Sequence, residues 1–230
     1  MHPIVFYWCY FVLTMEKKRI EAIIFDMDGV IIDSEPLWSK AEREVFSTVG
    51  VEFTDEQCRQ TATMTTREVT NFWFERFPWS KHSLDEIENR VIDYVGSLIQ
   101  QRGVAIDGIR ETVPRLKGKG FKIGLATNSP FRLIPVVLEK IGIQLYFDAL
   151  CSSEHEQKGK PHPDVYISIS KKLGLEPANC LAIEDSISGI RAAKQAGMQV
   201  IALVTEKSET NRAKYALADK IISHYNQLDF

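Results

Sequence analysis

The feature of the sequence that most constrains its fold is an alternation of short apolar runs with amphipathic helical patterns. The first run, Ala22 to Phe25, contains β-branched residues and stops at a polar turn, which is typical of a strand buried on both faces. Five further runs are predicted to be strands: Phe121 to Ala126, Phe147 to Cys151, Cys180 to Ile183, Val200 to Val204 and Lys220 to Ile222. Because helical patterns separate these later runs, the spacing predicts an α/β fold around a Rossmann-like parallel sheet.

Capping residues and glycines mark the helices between the later strands. Ser129 and Pro130 predict the start of one helix, in which Pro135 predicts either a kink or a late start. Three more helices are predicted: Asp164 to Leu173 with Tyr166 on its apolar stripe, Ser186 to Ala196, and a polar helix from about Ser208 to Ala218.

Residues 34–103 interrupt the alternation and carry helical patterns only. Ser34 predicts the N-cap of a first helix, Thr66 opens a second, and a capping box at Ser83 to Glu86 precedes a third. The aromatic side chains of this stretch could stack on a sugar ring, but most are expected to form its core, with one at the substrate face: Trp38, Phe72, Trp73, Phe74, Phe77 and Trp79. The sequence therefore predicts a small helical cap, residues 34–103, inserted into a catalytic core of residues 20–33 and 104–230.

Charge and cysteine content narrow the class of protein. The formal net charge is −3, which disfavours a nucleic-acid partner, since such binders are usually basic. The four cysteines are far apart and form no C-x-x-C pair, so the sequence indicates neither a disulfide framework nor a zinc site. We expect a cytoplasmic monomer.

The N-terminal segment does not fit the pattern of strands and helices in the rest of the chain. Ile4 to Leu13 is a continuous apolar run that is too short for a bilayer, which needs about 20 residues, and its flanks lack the signal-peptide pattern. We expect residues 1–14 to be an extension outside the fold, with Met15 as the natural start. The alternative is a peripheral anchor for a membrane or a partner protein.

Polar side chains follow four of the predicted strands or the loops after them. They are Asp26 and Asp28, Thr127 to Ser129, Lys160 with Pro161, and Glu184 to Ser186. Because parallel sheets bind ligands beyond the carboxyl ends of their strands, these groups are expected in one crevice. Four carboxylates there need a cation, and carboxylate and carbonyl oxygens are ligands that Mg²⁺ prefers. A lysine and helix N-terminal amides beside Mg²⁺ predict a phosphate site.

The paired aspartates suggest how such a site could work. One carboxylate can attack phosphorus and form an aspartyl-phosphate, which divides a difficult hydrolysis into two easier steps. The second, two residues on, can protonate the leaving alkoxide and then deprotonate the incoming water. The set therefore predicts phosphoryl transfer.

These motifs, in this order and with a helical insert after the first, resemble the haloacid dehalogenase-like (HAD) hydrolases. Within that superfamily the chain is similar to the β-phosphoglucomutase-like branch, and most similar to its 2-deoxyglucose-6-phosphate and hexitol phosphatases. The closer likeness lies in Asp33 to Trp38 and in Phe77 to Trp79, and the resemblance covers residues 20–230.

The resemblance implies roles for individual residues. Asp26 would be the nucleophile, Asp28 the general acid and base, and Lys160 would hold phosphate and nucleophile in register. Thr127 and the Asn128 backbone would bind the phosphoryl oxygens. Mg²⁺ would be held by Asp26, the Asp28 carbonyl and Asp185, with the Glu184 carboxylate in or near the coordination sphere. Since dehalogenases lack the second aspartate, Asp28 implies a phosphatase or phosphomutase.

Arg67 in the insert has two interpretations. It can reach a hydroxyl or phosphate of the substrate, or it can be a solvated arginine at a helix start.

The function expected from these residues and this resemblance is a Mg²⁺-dependent phosphatase of small phosphorylated sugars or sugar alcohols, such as 2-deoxyglucose 6-phosphate and hexitol phosphates. The cap would open and close over the substrate, with hinges near 33–35 and 103–108. Alternatives are a phosphomutase with the same core residues, a receiver phosphorylated on Asp26 without turnover, and a membrane-tethered interaction protein. The expected partner is a small phosphorylated sugar, with neither nucleic acid nor a membrane.

Overall fold

The computed structural model describes residues 19–61, 64–205 and 212–230. Within these residues the chain forms a six-stranded sheet of order β3-β2-β1-β4-β5-β6, and every neighbouring pair is parallel. The strands are β1 (Ala22–Phe25), β2 (Lys122–Thr127), β3 (Ala149–Ser152), β4 (Cys180–Glu184), β5 (Gln199–Leu203) and β6 (Lys220–Ile222). The predicted α/β fold is confirmed, and all six predicted strands are present.

Strand β1 lies at the centre of the sheet because both its faces are apolar and both are covered. Its four residues are fully buried. Ile24 pairs with Gly124 of β2 on one side and with Ala182 of β4 on the other. The residues that follow β1 therefore emerge in the middle of the edge formed by the strand ends.

Helices cover the sheet on both faces. They are α5 (Ile109–Gly118), α6 (Leu133–Ile141), α7 (Asp164–Leu173) and α8 (Ile187–Gln195). Side chains of β1 alternate between two apolar layers, since Ile23 packs in the cluster that holds Val113 of α5, and Ile24 in the one that holds Ile169 of α7. Helix α6 begins three residues beyond Pro130, which confirms the late start.

Four helices form the insert between β1 and α5: α1 (Glu35–Ser47), α2 (Asp55–Thr61), α3 (Thr66–Arg76) and α4 (Leu84–Arg102). Helix α3 begins at a capping box, because Thr65 and Glu68 each accept a hydrogen bond from the other's backbone N–H. Trp73 is fully buried and stacks on Phe53 with ring centroids 4.5 Å apart. Aromatic packing therefore forms much of the interior of the insert.

The two segments that join the insert to the sheet contact each other. The Asp33 amide donates to the Val104 carbonyl at 3.0 Å, and the Ile106 amide donates to the Ile31 carbonyl at 3.0 Å. The Tyr225 hydroxyl, from the C-terminal segment, donates to the Val30 carbonyl at 2.8 Å. The first linker is thus fixed by both the second linker and the C-terminus. The division into cap and core, and the hinges, stay predictions.

The helix predicted from Ser208 to Ala218 is wrong in the part that the structure describes. Residues 206–211 lie outside the described residues, and Arg212–Tyr215 form a 3-10 helix. The Asp219 amide donates to the Val200 carbonyl at 2.8 Å and aligns β6 with β5. Because the chain has to reach this position, the segment before Asp219 forms a 3-10 helix and turns instead of a longer α-helix. The predictions for residues 1–14 also fall outside the described residues. Among the helices that are described, none combines the length and apolarity needed to cross a bilayer.

Candidate active site

Carboxylates that follow two adjacent strands meet at the carboxyl edge of the sheet. Asp26 comes directly after β1, Glu184 is the last residue of β4, and Asp185 follows it. One oxygen from each of these side chains lies within 4.8 Å of the other two. Asp26 and Glu184 are buried, and Asp185 is half-buried. The pairing of β1 with β4 brings the three together.

The ammonium of Lys160 lies inside this carboxylate group. Its Nζ donates to Asp26 Oδ1 at 2.8 Å, to Glu184 Oε1 at 2.6 Å and to the Ala126 carbonyl at 2.9 Å. The backbone of Lys160 is fixed as well, because its amide donates to Asn128 Oδ1 at 2.8 Å. Burial alone would lower the pKa of Lys160, but the two carboxylates outweigh it and raise that pKa above its usual range, so the side chain stays charged.

Asp28 lies in a different environment, among neutral donors. Its Oδ1 accepts from Ser34 Oγ at 2.5 Å and from the Trp38 indole nitrogen at 3.1 Å, and its Oδ2 accepts from Ser129 Oγ at 2.6 Å. Ser34 and Trp38 belong to the insert and Ser129 to the loop after β2, so both the insert and the sheet edge contact this carboxylate.

The same contacts correct two sequence predictions. Ser34 occupies the N-cap position of α1 but makes no side-chain capping hydrogen bond. Ser129 does not cap α6, whose N-cap position is Arg132. In both cases the hydroxyl donates to the Asp28 carboxylate, so the side chain is directed toward the site instead of toward the backbone N–H groups from which a capping oxygen accepts.

Thr127 is the last residue of β2, and Asn128 follows it. Strand β2 pairs with β1 in the register of Leu125 with Phe25, so the carboxyl ends of both strands lie at the same edge of the sheet. Thr127 is buried, and its Oγ1 accepts from the Ser129 amide at 3.0 Å. The predicted phosphate-binding loop therefore lies at the same sheet edge as the carboxylates.

Glu184 is held by donors from three elements. Besides Lys160, the Tyr166 hydroxyl of α7 donates to its Oε1 at 2.6 Å, and Ser186 Oγ donates to its Oε2 at 3.1 Å. Gly189 leaves room for this carboxylate, since a Cβ there would lie 1.8 Å from Glu184 Oε1. Sequence analysis did not predict that Trp38 and Tyr166 contact the site carboxylates, because aromatic residues in helices of this kind are usually part of the core.

Burial and mutual repulsion disfavour the ionised forms of these carboxylates. Burial raises the pKa of Asp26 to about 7, with Glu184 and Asp28 adding to the rise and Lys160 opposing it. The pKa of Asp185 is well above its usual range, mainly through burial and then through Glu184 and Asp26. One lysine therefore does not compensate the group.

The donor set fits a hard divalent cation. Asp26, Glu184 and Asp185 offer only oxygen ligands, and such ligands suit Mg²⁺ better than softer metals. Gly29 allows the Asp185 carboxylate to approach, since a Cβ there would lie 2.0 Å from Asp185 Oδ2. The φ of Gly29 is +71°, in the left-handed region that favours glycine.

A cavity of about 970 Å³ separates the insert from the loops at the sheet edge. Lys160 and Asn128 line its core side, and Arg67, Asp85 and Glu88 line the insert side. Arg67 thus lines the same cavity as Asn128 and Lys160 but from the insert side, whereas the other predicted site residues lie at the sheet edge.

Comparison with known proteins agrees with this geometry. The profile of the family described as "Haloacid dehalogenase-like hydrolase" matches residues 23–203. Hexitol phosphatase B of Escherichia coli (strain K12) is 37% identical over 212 residues, which is 92% of this chain and 95% of that protein.

Solved structures show the same architecture. CbbY from Rhodobacter sphaeroides in complex with phosphate has a TM-score of 0.83 at 25% identity, covering 91% of this chain and 96% of that chain. A mutant of CbbY, crystallised with xylulose-(1,5)bisphosphate, has a TM-score of 0.82 at the same identity and coverage. β-Phosphoglucomutase from Clostridium difficile has a TM-score of 0.78 at 27% identity, covering 92% of this chain and 94% of that chain. The resemblance inferred from the strand-end motifs is confirmed, and the chain belongs to the haloacid dehalogenase-like hydrolases.

Proposed function

We propose that this phosphoric monoester hydrolase is a Mg²⁺-dependent phosphatase of small phosphorylated sugars or sugar alcohols, acting through an aspartyl-phosphate on Asp26. The observation that carries the proposal is the contrast between two carboxylates that are two residues apart. Asp26 is fixed by a lysine among other carboxylates, whereas Asp28 is fixed by hydroxyl and indole donors. Two carboxyl groups in different environments suit the separate roles of nucleophile and proton donor.

In the first half-reaction Asp26 attacks phosphorus. Lys160 occupies Oδ1 of Asp26, which leaves Oδ2 to form the new oxygen–phosphorus bond as the ester bond breaks. Asp28, which is protonated in this step, gives its proton to the leaving alkoxide, so that the sugar departs as a neutral alcohol. Thr127, the Asn128 backbone and Lys160 bind the phosphoryl oxygens.

In the second half-reaction Asp28, now ionised, accepts a proton from a water molecule that attacks the phosphorus of the aspartyl-phosphate. The bond between phosphorus and Asp26 breaks, inorganic phosphate leaves, and both carboxyl groups return to their initial states. Mg²⁺ would be held by Asp26, the Asp28 carbonyl and Asp185, with Glu184 in or beside its coordination sphere. When bound, it supplies positive charge to the phosphoryl oxygens.

A phosphomutase is the second candidate, because a solved structure of similar fold is named β-phosphoglucomutase. A mutase would use the same core residues but return the phosphoryl group to a sugar instead of water.

The test is phosphate release from a panel of about eighty phosphomonoesters, a number large enough to sample a specificity surface. Each ester is assayed with and without Mg²⁺, using the wild type and Asp26→Asn. The matched control is Asp229→Asn, which removes the same charge from an exposed residue near the C-terminus.

Release from phosphorylated hexoses or hexitols that needs Mg²⁺ and is lost only in Asp26→Asn supports the proposal. Conversion between sugar phosphate isomers without net release supports the mutase. No turnover of any ester, with a long-lived acyl phosphate on Asp26, supports the receiver.

A further inference from the structure

The C-terminal segment, residues 223–230, contacts the turn that carries Asp28. Tyr225 of this segment is buried, and the centroid of its ring lies 6.4 Å from that of Phe25 in β1. The Tyr225 hydroxyl donates to the carbonyl of Val30, two residues beyond Asp28. A residue from the end of the chain therefore holds the backbone next to the proposed proton donor.

The turn itself, residues 27–32, is closed by its own backbone. The Gly29 amide donates to the Ile32 carbonyl at 2.9 Å, and the Ile31 amide donates to the Met27 carbonyl at 2.8 Å. Because this closed turn includes both Asp28 and the carbonyl that accepts from the tyrosine, a displacement at one point shifts the other.

Contacts with the second linker fix the position of Tyr225. The neighbouring His224 accepts from the Asn226 amide through Nδ1 at 3.1 Å, so Nε2 carries the proton and donates to Asp107 Oδ2 at 2.7 Å. Gly108 allows this close packing, since a Cβ there would lie 3.1 Å from Tyr225 Cβ. The φ of Gly108 is +81°, in the region that favours glycine.

Helix α5 supports the rest of the C-terminal segment. Arg115 Nη1 donates to the Leu228 carbonyl at 3.3 Å, and Lys119 Nζ donates to the Phe230 carbonyl at 2.5 Å. The ring of Phe230 packs edge-on against Phe121 with centroids 5.2 Å apart. Tyr225 is thus anchored on both sides, by the second linker before it and by α5 after it.

The environment of Tyr225 keeps its hydroxyl protonated. Burial, and then the carboxylates of Asp185 and Asp26, raise the pKa of Tyr225 well above its usual range, so the hydroxyl remains a donor. Without this hydroxyl the carbonyl of the buried residue Val30 would lose its donor, and the cost of a buried polar group without a partner favours a shift of the backbone.

We propose that Tyr225 is a positioning residue of the phosphatase reaction, which sets the place of the Asp28 carboxyl through the Val30 carbonyl. This inference rests on the proposed function, because it concerns the step in which Asp28 gives a proton to the leaving alkoxide. Misplacing a reacting group by about 1 Å can cost on the order of 100-fold in rate, so a small shift of the turn is enough.

The first test asks whether Tyr225 fixes the turn, and it needs no turnover. Hydrogen exchange of a peptide spanning residues 26–33 is followed by mass spectrometry. Tyr225→Phe keeps the ring and removes the hydroxyl, and we expect exchange in this peptide to become about tenfold faster. The matched control is Tyr146→Phe, which removes the same group from a half-buried tyrosine before β3, at the opposite edge of the sheet.

The second test separates the positioning of Asp28 from a general loss of structure. It compares kcat/KM for a sugar phosphate with kcat/KM for p-nitrophenyl phosphate. A sugar alkoxide is a strong base that needs a proton in order to leave, whereas p-nitrophenolate is stable as an anion at neutral pH. We expect Tyr225→Phe to lower kcat/KM about tenfold for the sugar phosphate and by less than about twofold for p-nitrophenyl phosphate.

Two further variants calibrate this contrast between the esters. Asp28→Asn removes the proton donor itself and should give the same contrast at a larger size. Asp107→Ala removes the partner of His224 without loss of burial, since the Asp107 side chain is 91% exposed. We expect it to give the contrast at a smaller size, about threefold, because the tyrosine is then anchored mainly by α5.

The outcomes separate the two proposals. Unchanged exchange of residues 26–33 in Tyr225→Phe, or an equal fall of kcat/KM for both esters, overturns the positioning role and leaves the phosphatase standing. Failure of the wild type to hydrolyse any sugar phosphate overturns the proposed function, and the inference falls with it.

Discussion

The indole nitrogen of Trp38 lies 3.1 Å from Oδ1 of Asp28, so the first helix of the insert contacts the carboxylate that follows β1. A neutral donor at this distance orients the carboxylate without holding it as firmly as a lysine would. The placement of the proposed proton donor therefore depends on the placement of α1.

Replacing Trp38 by Phe keeps an aromatic ring and removes this N–H. We expect kcat to fall about tenfold with a smaller change in KM, since a hydrogen bond to a charged group contributes about 1.5–3 kcal/mol. The measurement is steady-state kinetics at saturating Mg²⁺ on a sugar phosphate found in the panel.

Trp79→Phe is the control for this substitution. The Trp79 indole nitrogen is buried and has no hydrogen-bond partner within the described ranges, so its loss removes no such contact. An equal fall of kcat in both variants would contradict the role assigned to the Trp38 N–H.

Gly189→Ala should displace the Glu184 carboxylate, because the new Cβ would lie 1.8 Å from Oε1. Glu184 cannot move freely, since Lys160, Tyr166 and Ser186 all donate to it. We expect a loss of about 2 kcal/mol or more in the free energy of unfolding, measured by urea denaturation. Gly118→Ala in α5 is the matched control, since nothing lies within 4 Å of the new methyl group. Equal stability of the two variants would show that Glu184 adapts.

Stabilisation by Mg²⁺ should increase with pH. The pKa of Asp26 is raised to about 7 from 3.8, so the metal-free folded protein holds this proton more tightly than the unfolded chain does. Metal-free stability contributed by this group is therefore full below about pH 4 and is lost as pH rises toward 7. A cation that binds the carboxylates releases the proton and offsets that loss.

The test of this pH dependence compares melting temperatures with and without about 10 mM MgCl₂ at pH 5.5 and at pH 8. The increase in Tm is expected to be larger at pH 8. In Asp26→Asn the dependence on pH should be weaker, and a larger effect of Mg²⁺ at pH 5.5 would contradict the assignment.

Glu42→Gln should stabilise the protein at alkaline pH. Glu42 is half-buried, one helical turn beyond Trp38, and burial raises its pKa to about 7 from 4.5. The folded state favours the protonated form, so stability falls as pH rises through this interval, and glutamine avoids that loss. We expect a gain on the order of 1 kcal/mol at pH 8 and little change at pH 4.5, from urea denaturation. Glu139→Gln, an exposed position on α6, should show no such difference between the two pH values.

The strands and the main site carboxylates could be predicted because their signals are local. Ala22–Phe25 is apolar on both faces, and Asp26 and Asp28 follow it directly, so no distant contact is needed to place them at the sheet edge. The hydroxyls of Ser34 and Ser129 could not be assigned in this way. Ser129 lies 101 positions from Asp28 in the chain, and a local pattern predicts only its capping role.

Trp38 and Tyr166 illustrate a second limit of local patterns. Each has an apolar body that fits a helical stripe and a polar tip that reaches a carboxylate. Tyr166 is buried and Trp38 is half-buried, but the partner of each polar tip depends on how helices pack against strand ends. The ion pair of Arg67 with Asp85 could not be predicted from a local pattern either, since Asp85 lies 18 positions away on another helix.

The lysine that holds Asp26 stands 134 positions further along the chain, and Glu184 comes later still. During synthesis, an emerging polypeptide carries the attacking carboxylate long before it carries the groups that position it. A ribosome-bound chain that stops before β4 lacks both Glu184 and Asp185, and so cannot assemble the oxygen ligands of the proposed cation site. Catalytic competence therefore arises late in translation, when the central strand finally acquires its second neighbour.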